Sequence, residues 1–253
     1  MSQFEPSSSS TDTQRKEVAR TVGEAALRRI ENFDRCTKLN PREVQQLDWC
    51  DIELGRLIGQ GSFSSVYTAS LKEGQHFHET IYALKSLKRR TTSKHESFTI
   101  GAVDLILEAK ILSNLHHPNI IKLHAVRGGN ICECYASGGG YFLVLDLLTC
   151  TLETCLDGLR DRRCRPFACA ASSSGMIDRL ETMALGVARG MAYLHAQNII
   201  FRDLKPQNVG IDEHGVVRIF DFGLAREYHP TSCSQNSIIE GARLMTGNCG
   251  TPR

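Results

Sequence analysis

Three polar residues in the later half of the chain have the types and spacing that phosphoryl transfer requires. Asp203 and Asn208 share one short polar segment, and Asp221 follows after an apolar one. A carboxylate can orient a hydroxyl nucleophile, while a second carboxylate and an amide oxygen are suitable ligands for Mg²⁺. We therefore expect Asp203 to orient an acceptor hydroxyl, and Asn208 and Asp221 to hold a magnesium ion. Turn formation is the ordinary alternative for Asp and Asn in loops.

Two segments resemble the catalytic loop and the metal-binding loop of eukaryotic protein kinases. They are residues 200–208, Ile-Phe-Arg-Asp-Leu-Lys-Pro-Gln-Asn, and residues 221–223, Asp-Phe-Gly. The resemblance implies ATP and Mg²⁺ as cofactors and a protein hydroxyl as acceptor. Lys205 is similar to the lysine of serine/threonine kinases and would neutralise the transferring phosphate. The opening at 52–55 and the end at 250–253 are similar to the tyrosine-kinase-like group.

A glycine-containing turn is expected between two strands at residues 59–66, Gly-Gln-Gly-Ser-Phe-Ser-Ser-Val. It resembles the kinase glycine-rich loop, with Ser64 in place of the third glycine. A dinucleotide fingerprint would open a helix, and a Walker loop would end in Gly-Lys-Ser or Gly-Lys-Thr, so both are disfavoured. The resemblance places these residues at the nucleotide: Gly59, Gln60, Gly61, Ser62, Phe63, Ser64, Val66, Ala83, Lys85, Asp146, Leu147, Asn208 and Asp221.

Lys85 lies on the third predicted strand, where the resemblance expects the lysine that contacts the α- and β-phosphates. Glu108, on the following helix, stands at the position of its carboxylate partner. Such a pair at about 4 Å is worth ~4 kcal/mol before desolvation at an effective dielectric near 20. Glu96 and Asp104 are alternatives, but the Leu-Ser-Asn-Leu-His-His-Pro-Asn-Ile run after the helix favours Glu108. The resemblance thus assigns the catalytic roles to Lys85, Glu108, Asp203 and Lys205.

Two substitutions depart from the family pattern. Phe201 replaces the usual histidine, so we expect it to keep the apolar stacking, lose a backbone hydrogen bond and tune activity without abolishing it. Gly210 stands where the family has an apolar side chain beneath the adenine. A roomier floor, with ~1–2 kcal/mol of lost burial, would weaken ATP binding about tenfold. Leu145 is the expected gatekeeper, before a hinge at Asp146 and Leu147 that contacts adenine through its backbone.

Arg202, before the expected base, resembles the arginine of kinases whose activation segment is held by a phosphate. An activating kinase or autophosphorylation would act within residues 221–251. Thr246 is favoured over four other acceptors in this segment, and Thr251 matches a family threonine that contacts the base and the lysine. The other acceptors are Thr231, Ser232, Ser234 and Ser237.

The predicted fold is α+β, a bilobal protein-kinase fold with five antiparallel strands and one helix in the small lobe and a mainly helical, incomplete large lobe. Residues 1–14 read as a disordered tail, and 15–49 as an amphipathic helix and linker, with the helical pattern at 14–33. The kinase domain spans 50–253, with the small lobe at about 50–147 and the large lobe at about 148–253.

Periodicity places strands within 51–67, at 81–87, 120–126 and 141–147, and helices over 103–115 and 177–194. The last helix carries an apolar face. Its members are Ile177, Leu180, Met183, Val187, Met191 and Leu194.

The bulk composition disfavours several function classes. The net charge of +2 gives no reason to expect nucleic acid as a partner. No apolar run approaches the roughly 18 residues of a membrane span, and the polar start lacks a secretory signal. The ten cysteines are scattered, so we expect reduced thiols and an intracellular, cytoplasmic protein with protein substrates.

The chain ends at Arg253, where the resemblance expects an Ala-Pro-Glu segment and further helices. We therefore expect a truncated kinase domain. The alternative function is a catalytically silent, kinase-like module that binds nucleotide or acts as a scaffold. The presence of Lys85, Asp203, Asn208 and Asp221 favours the active enzyme.

Overall fold

The computed structural model describes residues 43–72, 80–88, 95–129, 134, 140–160 and 173–227, together with scattered residues between 17 and 28. The chain divides into two compact units. Of the described residues, those up to Ser113 and from Lys122 to Leu147 belong to the first unit. Asn114–Ile121 and the residues from Leu148 onwards belong to the second.

A six-stranded sheet forms the centre of the first unit, in the order β1-β5-β6-β4-β3-β2. All neighbouring pairs are antiparallel except β1 and β5, which are parallel. The strands are β1 Gln45–Leu47, β2 Ile52–Gln60, β3 Ser64–Leu71, β4 Tyr82–Leu87, β5 Leu123–Arg127 and β6 Phe142–Asp146.

The predicted α+β fold is confirmed, but the expected five-stranded antiparallel sheet is corrected to six strands of mixed direction. β2 to β6 are the five predicted strands. β1 lies in the segment interpreted as a linker. It has only three residues, so it shows no usable alternation, and it is held as a strand by its pairing with β5, far along the chain.

Helix α1 spans His95–Ser113 and contacts β4, β5 and β6. It is buried nearly all round from Gly101 to Leu112, more than the one-sided burial that the sequence predicted. The sheet residues of the core include Leu84 and Phe142, both fully buried, and Trp49 packs edge-on against Phe142 with ring centroids 4.7 Å apart. This core includes Tyr82 and Leu84 and so supports β4.

The second unit contains two helices and two small sheets. The helices are α2 Leu152–Arg160 and α3 Ser173–Ala196. The first sheet has the order β10-β9-β7, and the second pairs β8 with β11. Their strands are β7 Cys150–Thr151, β8 Ile199–Ile200, β9 Val209–Ile211, β10 Val217–Ile219 and β11 Arg226–Glu227.

Helix α3 approaches β10 closely at two glycines. A Cβ at Gly186 would lie 2.5 Å from Cγ2 of Val217, and one at Gly190 would lie 2.9 Å from Cδ1 of Ile219. Any larger residue would push the helix away from the strand. α3 is therefore seated against the hairpin that carries the candidate site.

The predicted apolar face of α3 is only partly buried in the described part of the chain. Met183 and Leu194 are buried, whereas Ile177 and Leu180 are exposed. The helix predicted over 14–33 lies mostly outside the described residues. Those described there are helical, and Arg20 forms an ion pair with Glu24 at 3.3 Å.

Candidate active site

The β9–β10 hairpin brings the two expected metal ligands to the same end of a strand pair. Val209 is the register partner of Ile219, so Asn208 immediately precedes one end of the pair and Phe220 follows the other. The Phe220 amide donates to the Asn208 carbonyl oxygen at 3.0 Å. Asp221 is the next residue, so two segments separated in sequence meet here because of strand register.

Asp203 receives two donors on a single carboxylate oxygen. The ammonium Nζ of Lys205 and the amide Nδ2 of Asn208 each lie 2.9 Å from its Oδ2. Nδ2 of Asn208 also donates to the backbone carbonyl oxygen of Asp203 at 2.9 Å. These contacts set the direction of the carboxylate, as positioning of a nucleophile requires.

Asn208 is buried and ends a short 3₁₀ helix, Pro206–Asn208, that begins after Lys205. The proline at its first position is preorganised for this turn, since its fixed φ suits a helix start. With Nδ2 directed at Asp203, the Oδ1 carbonyl oxygen of Asn208 is the atom that remains to ligate a cation.

Two residues beside the site hold the left-handed backbone conformation without being glycine. Arg202 has φ 70° and Asp221 has φ 67°. This region costs an L-residue roughly 1–2 kcal/mol. Nε of Arg202 donates to the Leu224 carbonyl oxygen at 2.6 Å, which fastens the turn before Asp203 to the segment after Asp221.

Phe201 and Phe222 form the apolar support of the site. Their rings meet edge to face with centroids 5.0 Å apart and an interplanar angle of 69°, and both side chains are fully buried. One precedes Arg202 and Asp203, and the other follows Asp221. The pair therefore ties together the two loops that carry the polar residues.

In the first unit, Nζ of Lys85 lies 2.6 Å from Oε2 of Glu108. Lys85 projects from β4, flanked by Val66 on β3 and Leu143 on β6, and Glu108 comes from the buried helix α1. Glu108 is thus the partner among the candidates that the sequence left open. Side-chain contacts of Glu96 lie outside the described residues.

The glycine-containing turn joins β2 to β3 in a hairpin. The Gly61 amide donates to the Ser64 carbonyl oxygen at 2.9 Å, and Gly59 stands opposite Val66. Ser64, in the place of the third glycine, is already in β3 and pairs with Leu87 of β4, so no left-handed conformation is needed there. The tip at Gly61 and Ser62 is exposed.

The side chain of Asp146 is fully engaged within the first unit. It accepts from the Lys122 amide at 3.0 Å and contacts Nε2 of His124 at 2.7 Å. His124 packs edge-on against Tyr82, with centroids 4.9 Å apart. Sequence reasoning missed His124, and its proximity to Asp146 follows only from the pairing of β5 with β6.

A protein-family comparison decides the identity of this fold. The family model described as "Protein kinase domain" matches residues 52–253. The chain belongs to the protein kinase family.

Similar curated proteins are also kinases by name. The chain is 27% identical to Protein kinase 3 of Dictyostelium discoideum over 91% of its own length and 22% of that protein. It is 28% identical to ribosomal protein S6 kinase 2 alpha of Xenopus laevis, and 29% identical to ribosomal protein S6 kinase alpha-2 of Homo sapiens, each over 72% of this chain and 21% of the relative. The matched part is about a fifth of these relatives.

The sequence predicted a roomier nucleotide floor and weaker ATP binding at Gly210, and this effect stays a prediction. A Cβ built on Gly210 would overlap Cδ1 of Leu148 and lie 3.1 Å from its Cγ. The space is therefore filled from another segment. The contact between Leu148 and Gly210 could not be predicted from the sequence, because it forms only through the pairing of β7 with β9.

The donor set of the kinase domain fits the expected magnesium ion. Asn208 offers a carbonyl oxygen and Asp221 an exposed carboxylate. Beside phosphates, Mg²⁺ prefers oxygen ligands and takes only one or two of them from the protein.

The candidate phosphorylation sites between Thr231 and Thr246, and Thr251, lie outside the described residues. No described helix is long and apolar enough to span a membrane.

Proposed function

We propose that this chain is the catalytic part of an ATP-dependent protein serine/threonine kinase, which transfers the γ-phosphate to hydroxyl groups of protein substrates. The observation that carries the proposal is the convergence of Lys205 and Asn208 on Oδ2 of Asp203. A site without catalytic activity would not require two donors on the same oxygen of Asp203. An intracellular, cytoplasmic location belongs to the proposal, because ATP is available there.

In this mechanism Asp203 accepts the proton of the substrate hydroxyl as the hydroxyl oxygen bonds to the γ-phosphorus, and the bond from that phosphorus to the β–γ bridging oxygen breaks, with ADP as the leaving group. Its carboxylate is held in direction by Lys205 and Asn208, so little reorganisation is needed at the moment of reaction. The Lys205 ammonium, 2.9 Å from that carboxylate, is placed to neutralise charge on the transferring phosphoryl group. The lysine at this position supports Ser/Thr over Tyr acceptors.

Lys85 would contact the α- and β-phosphates of ATP. Its ammonium is paired with Glu108, and the Glu108 side chain is only 2% exposed. A lysine held in this way keeps one direction and presents its remaining donors to phosphate. The exposed tip of the β2–β3 hairpin would supply backbone amides for the same phosphates.

Asn208 and Asp221 would hold Mg²⁺, which when bound supplies charge neutralisation for the phosphates. The backbone amide of Phe220 donates to the backbone carbonyl oxygen of Asn208, and this hydrogen bond keeps Asn208 and Asp221 at a fixed register. The buried rings of Phe201 and Phe222 exclude water from beneath Asn208 and Asp221. The chain's own contribution is therefore to position ligands and nucleophile.

Phosphate transfer to a protein mixture or to casein by the full natural protein, with radiolabelled ATP, tests the proposal. Asp203→Asn is expected to lower transfer by about 10²–10⁴-fold, since proton transfer by a positioned base contributes that much. Lys85→Met should abolish transfer in a protein that still folds, with a lowered melting temperature because the buried Glu108 carboxylate loses its partner. Glu213→Gln, at an exposed carboxylate of the second unit, serves as control.

Unchanged transfer by Asp203→Asn would overturn the assignment of the base. Tight ATP binding without transfer by the wild-type protein would instead favour the silent, nucleotide-binding module. Incorporation of label into tyrosine, found by phosphoamino-acid analysis, would contradict the Ser/Thr class.

A further inference from the structure

Asp212 is a buried carboxylate at the turn between β9 and β10, and its side chain is 8% exposed. Its Oδ1 accepts from the backbone amides of His214 and Val216 at 3.0 and 2.9 Å. Its Oδ2 accepts from Nε and Nη2 of Arg218 at 3.0 and 2.9 Å. One carboxylate therefore binds both the turn and strand β10, and the mechanism proposed above gives it no role.

The ion pair of Asp212 and Arg218 lies at the opposite end of the β9–β10 hairpin from the expected metal ligands. Arg218 is the register partner of Gly210, so its side chain reaches Asp212 along a diagonal of the two strands. Asn208 and Asp221 flank the other end. Because the hairpin is short, a change of register at the ion pair is carried directly to these ligands.

The apolar pattern of the two strands does not select one register. Buried apolar residues alternate in both strands, and they are Val209, Ile211, Val217 and Ile219. A slip by one residue would turn the apolar side chains of one strand to the other face, but a slip by two residues would keep the alternation. That slip would move one metal ligand about 7 Å past the other, since a strand rises about 3.3 Å per residue.

Hydrogen bonds to Asn119 also hold β10, but they do not set this register directly. The carbonyl oxygen of Asn119 accepts from the Ile219 amide at 2.9 Å, and its Nδ2 donates to the Val217 carbonyl oxygen at 2.9 Å. These bonds include no atom of β9. Asp212, the first residue after β9, is the side chain that binds across the turn to β10.

We propose that Asp212 and Arg218 are positioning residues for the metal site, because their ion pair selects the β9–β10 register and so places Asp221 beside Asn208. The inference rests on the proposed function, since it concerns how these two ligands come to hold Mg²⁺. Neither member of the ion pair touches the metal, and both act through the hairpin. Loss of the guanidinium leaves a buried carboxylate without its charge partner, which loosens the hairpin at its turn.

Amide hydrogen exchange in the full natural protein tests the register without catalysis. The reporter is the Phe220 amide, which donates to the Asn208 carbonyl oxygen. Arg218→Met should lower the protection of this amide about tenfold or more, whereas amides of α3 should stay within about twofold of wild type. Arg218→Lys keeps the charge but loses the paired donors, so it should give an intermediate value. A purely structural role would lower protection at Phe220 and in α3 by the same factor.

The Mg²⁺ dependence of phosphate transfer gives a second readout. Arg218→Met should raise the Mg²⁺ concentration for half-maximal activity about tenfold and Arg218→Lys about threefold, while KM for the protein acceptor stays within about twofold of wild type. Glu213→Gln removes an exposed carboxylate from the same turn and is the matched control. It should behave as wild type in both experiments.

Unchanged protection of Phe220 in Arg218→Met would overturn the inference, because the bonds to Asn119 would then be sufficient to hold the hairpin. An equal loss at Phe220 and in α3 would also overturn it, as would an unchanged Mg²⁺ dependence. Absence of transfer by the wild-type protein would remove the proposed function and leave the exchange experiment to decide the register. If Arg218→Met does not fold, Arg218→Lys decides, with a loss of about threefold confined to Phe220 expected and an unselective loss counting against the inference.

Discussion

The ammonium Nζ of Lys85 lies 2.6 Å from the carboxylate oxygen Oε2 of Glu108, and their side chains are 12% and 2% exposed. A buried charged pair of this kind is sensitive to loss of either member, because the remaining charge stays out of water. The relationship links β4 to α1 in the first unit. It also sets the direction of the lysine expected to meet phosphate.

Replacement of Glu108 by Gln should impair both folding and catalysis. The amide keeps the shape but removes the charge that orients Lys85, so we expect the free energy of unfolding to fall by about 1–3 kcal/mol and kcat/KM to fall at least about tenfold. Urea denaturation and steady-state kinetics measure the two effects. Asp104→Asn, on the same helix, is the control, and a larger kinetic loss there would reverse the choice of partner.

Asn208→Ala should change the metal dependence of the reaction. The substitution removes the proposed carbonyl ligand and the two hydrogen bonds to Asp203. We expect the Mg²⁺ concentration for half-maximal activity to rise about tenfold or more and kcat to fall. Gln207→Ala, which removes a neighbouring exposed amide, should leave that Mg²⁺ concentration unchanged. Identical Mg²⁺ titrations for Asn208→Ala and wild type would remove Asn208 from the metal site.

Phe201 should prove to be a major packing residue. Phe201→Ala leaves a cavity against Phe222 and is expected to cost about 3–5 kcal/mol of unfolding free energy. Phe201→Leu refills most of that volume but loses the edge-to-face contact, for which about 0.5–1.5 kcal/mol is expected. Chemical denaturation gives both values. Equal losses of unfolding free energy in Phe201→Ala and Phe201→Leu would contradict the expectation that most of the loss comes from the missing volume.

His117 should make the stability of the second unit depend on pH. Its pKa is lowered from 6.5, first by burial and then by the positive charges of Arg189 and His116. The ring also stacks on Tyr193, with centroids 4.9 Å apart, and its Nδ1 accepts from the Asn119 amide at 3.1 Å. Protonation would remove that acceptor.

Because the folded pKa lies below the unfolded one, the contribution of His117 to stability is fully present above pH 6.5. It is lost as pH falls from there through the folded pKa, since the unfolded chain then binds more protons. His117→Asn should flatten this part of the curve of melting temperature against pH. His214→Asn, at an exposed ring, should leave it unchanged. A curve of the same slope in His117→Asn would rule out His117 as its source.

Gly186→Ala should destabilise the protein although it replaces glycine within a helix. In an exposed helix the change gains about 1 kcal/mol. Here the added Cβ would meet Cγ2 of Val217 at 2.5 Å and Nδ2 of Asn119 at 3.0 Å, so we expect a net loss of about 1–3 kcal/mol. Ala184→Gly, at an exposed position of the same helix, should cost about 1 kcal/mol by propensity alone. Stabilisation by Gly186→Ala would contradict the close approach of α3 to β10.

The long elements of the fold could be predicted from sequence because their patterns are local. β2 and β3 flank a glycine turn. In α1 and α3, apolar residues recur at helical spacing over many residues, and this pattern agrees with local propensity. β1 could not be predicted. It has three residues and exists through a parallel pairing with β5, and such a pairing leaves no signal in a short segment.

The sequence by itself determined which residues are available for chemistry, since the motifs at 200–208 and 221–223 place charged and amide side chains at a fixed spacing. Tertiary structure alone decided which of them meet. Asp104 and Glu108 lie on the same face of α1, so the choice of Glu108 depends on where α1 lies along its own axis relative to β4. Leu148 fills the space at Gly210 because β7 pairs with β9, and His124 reaches Asp146 because β5 pairs with β6. These contacts join residues far apart in the chain, and only the packing of the folded elements specifies them.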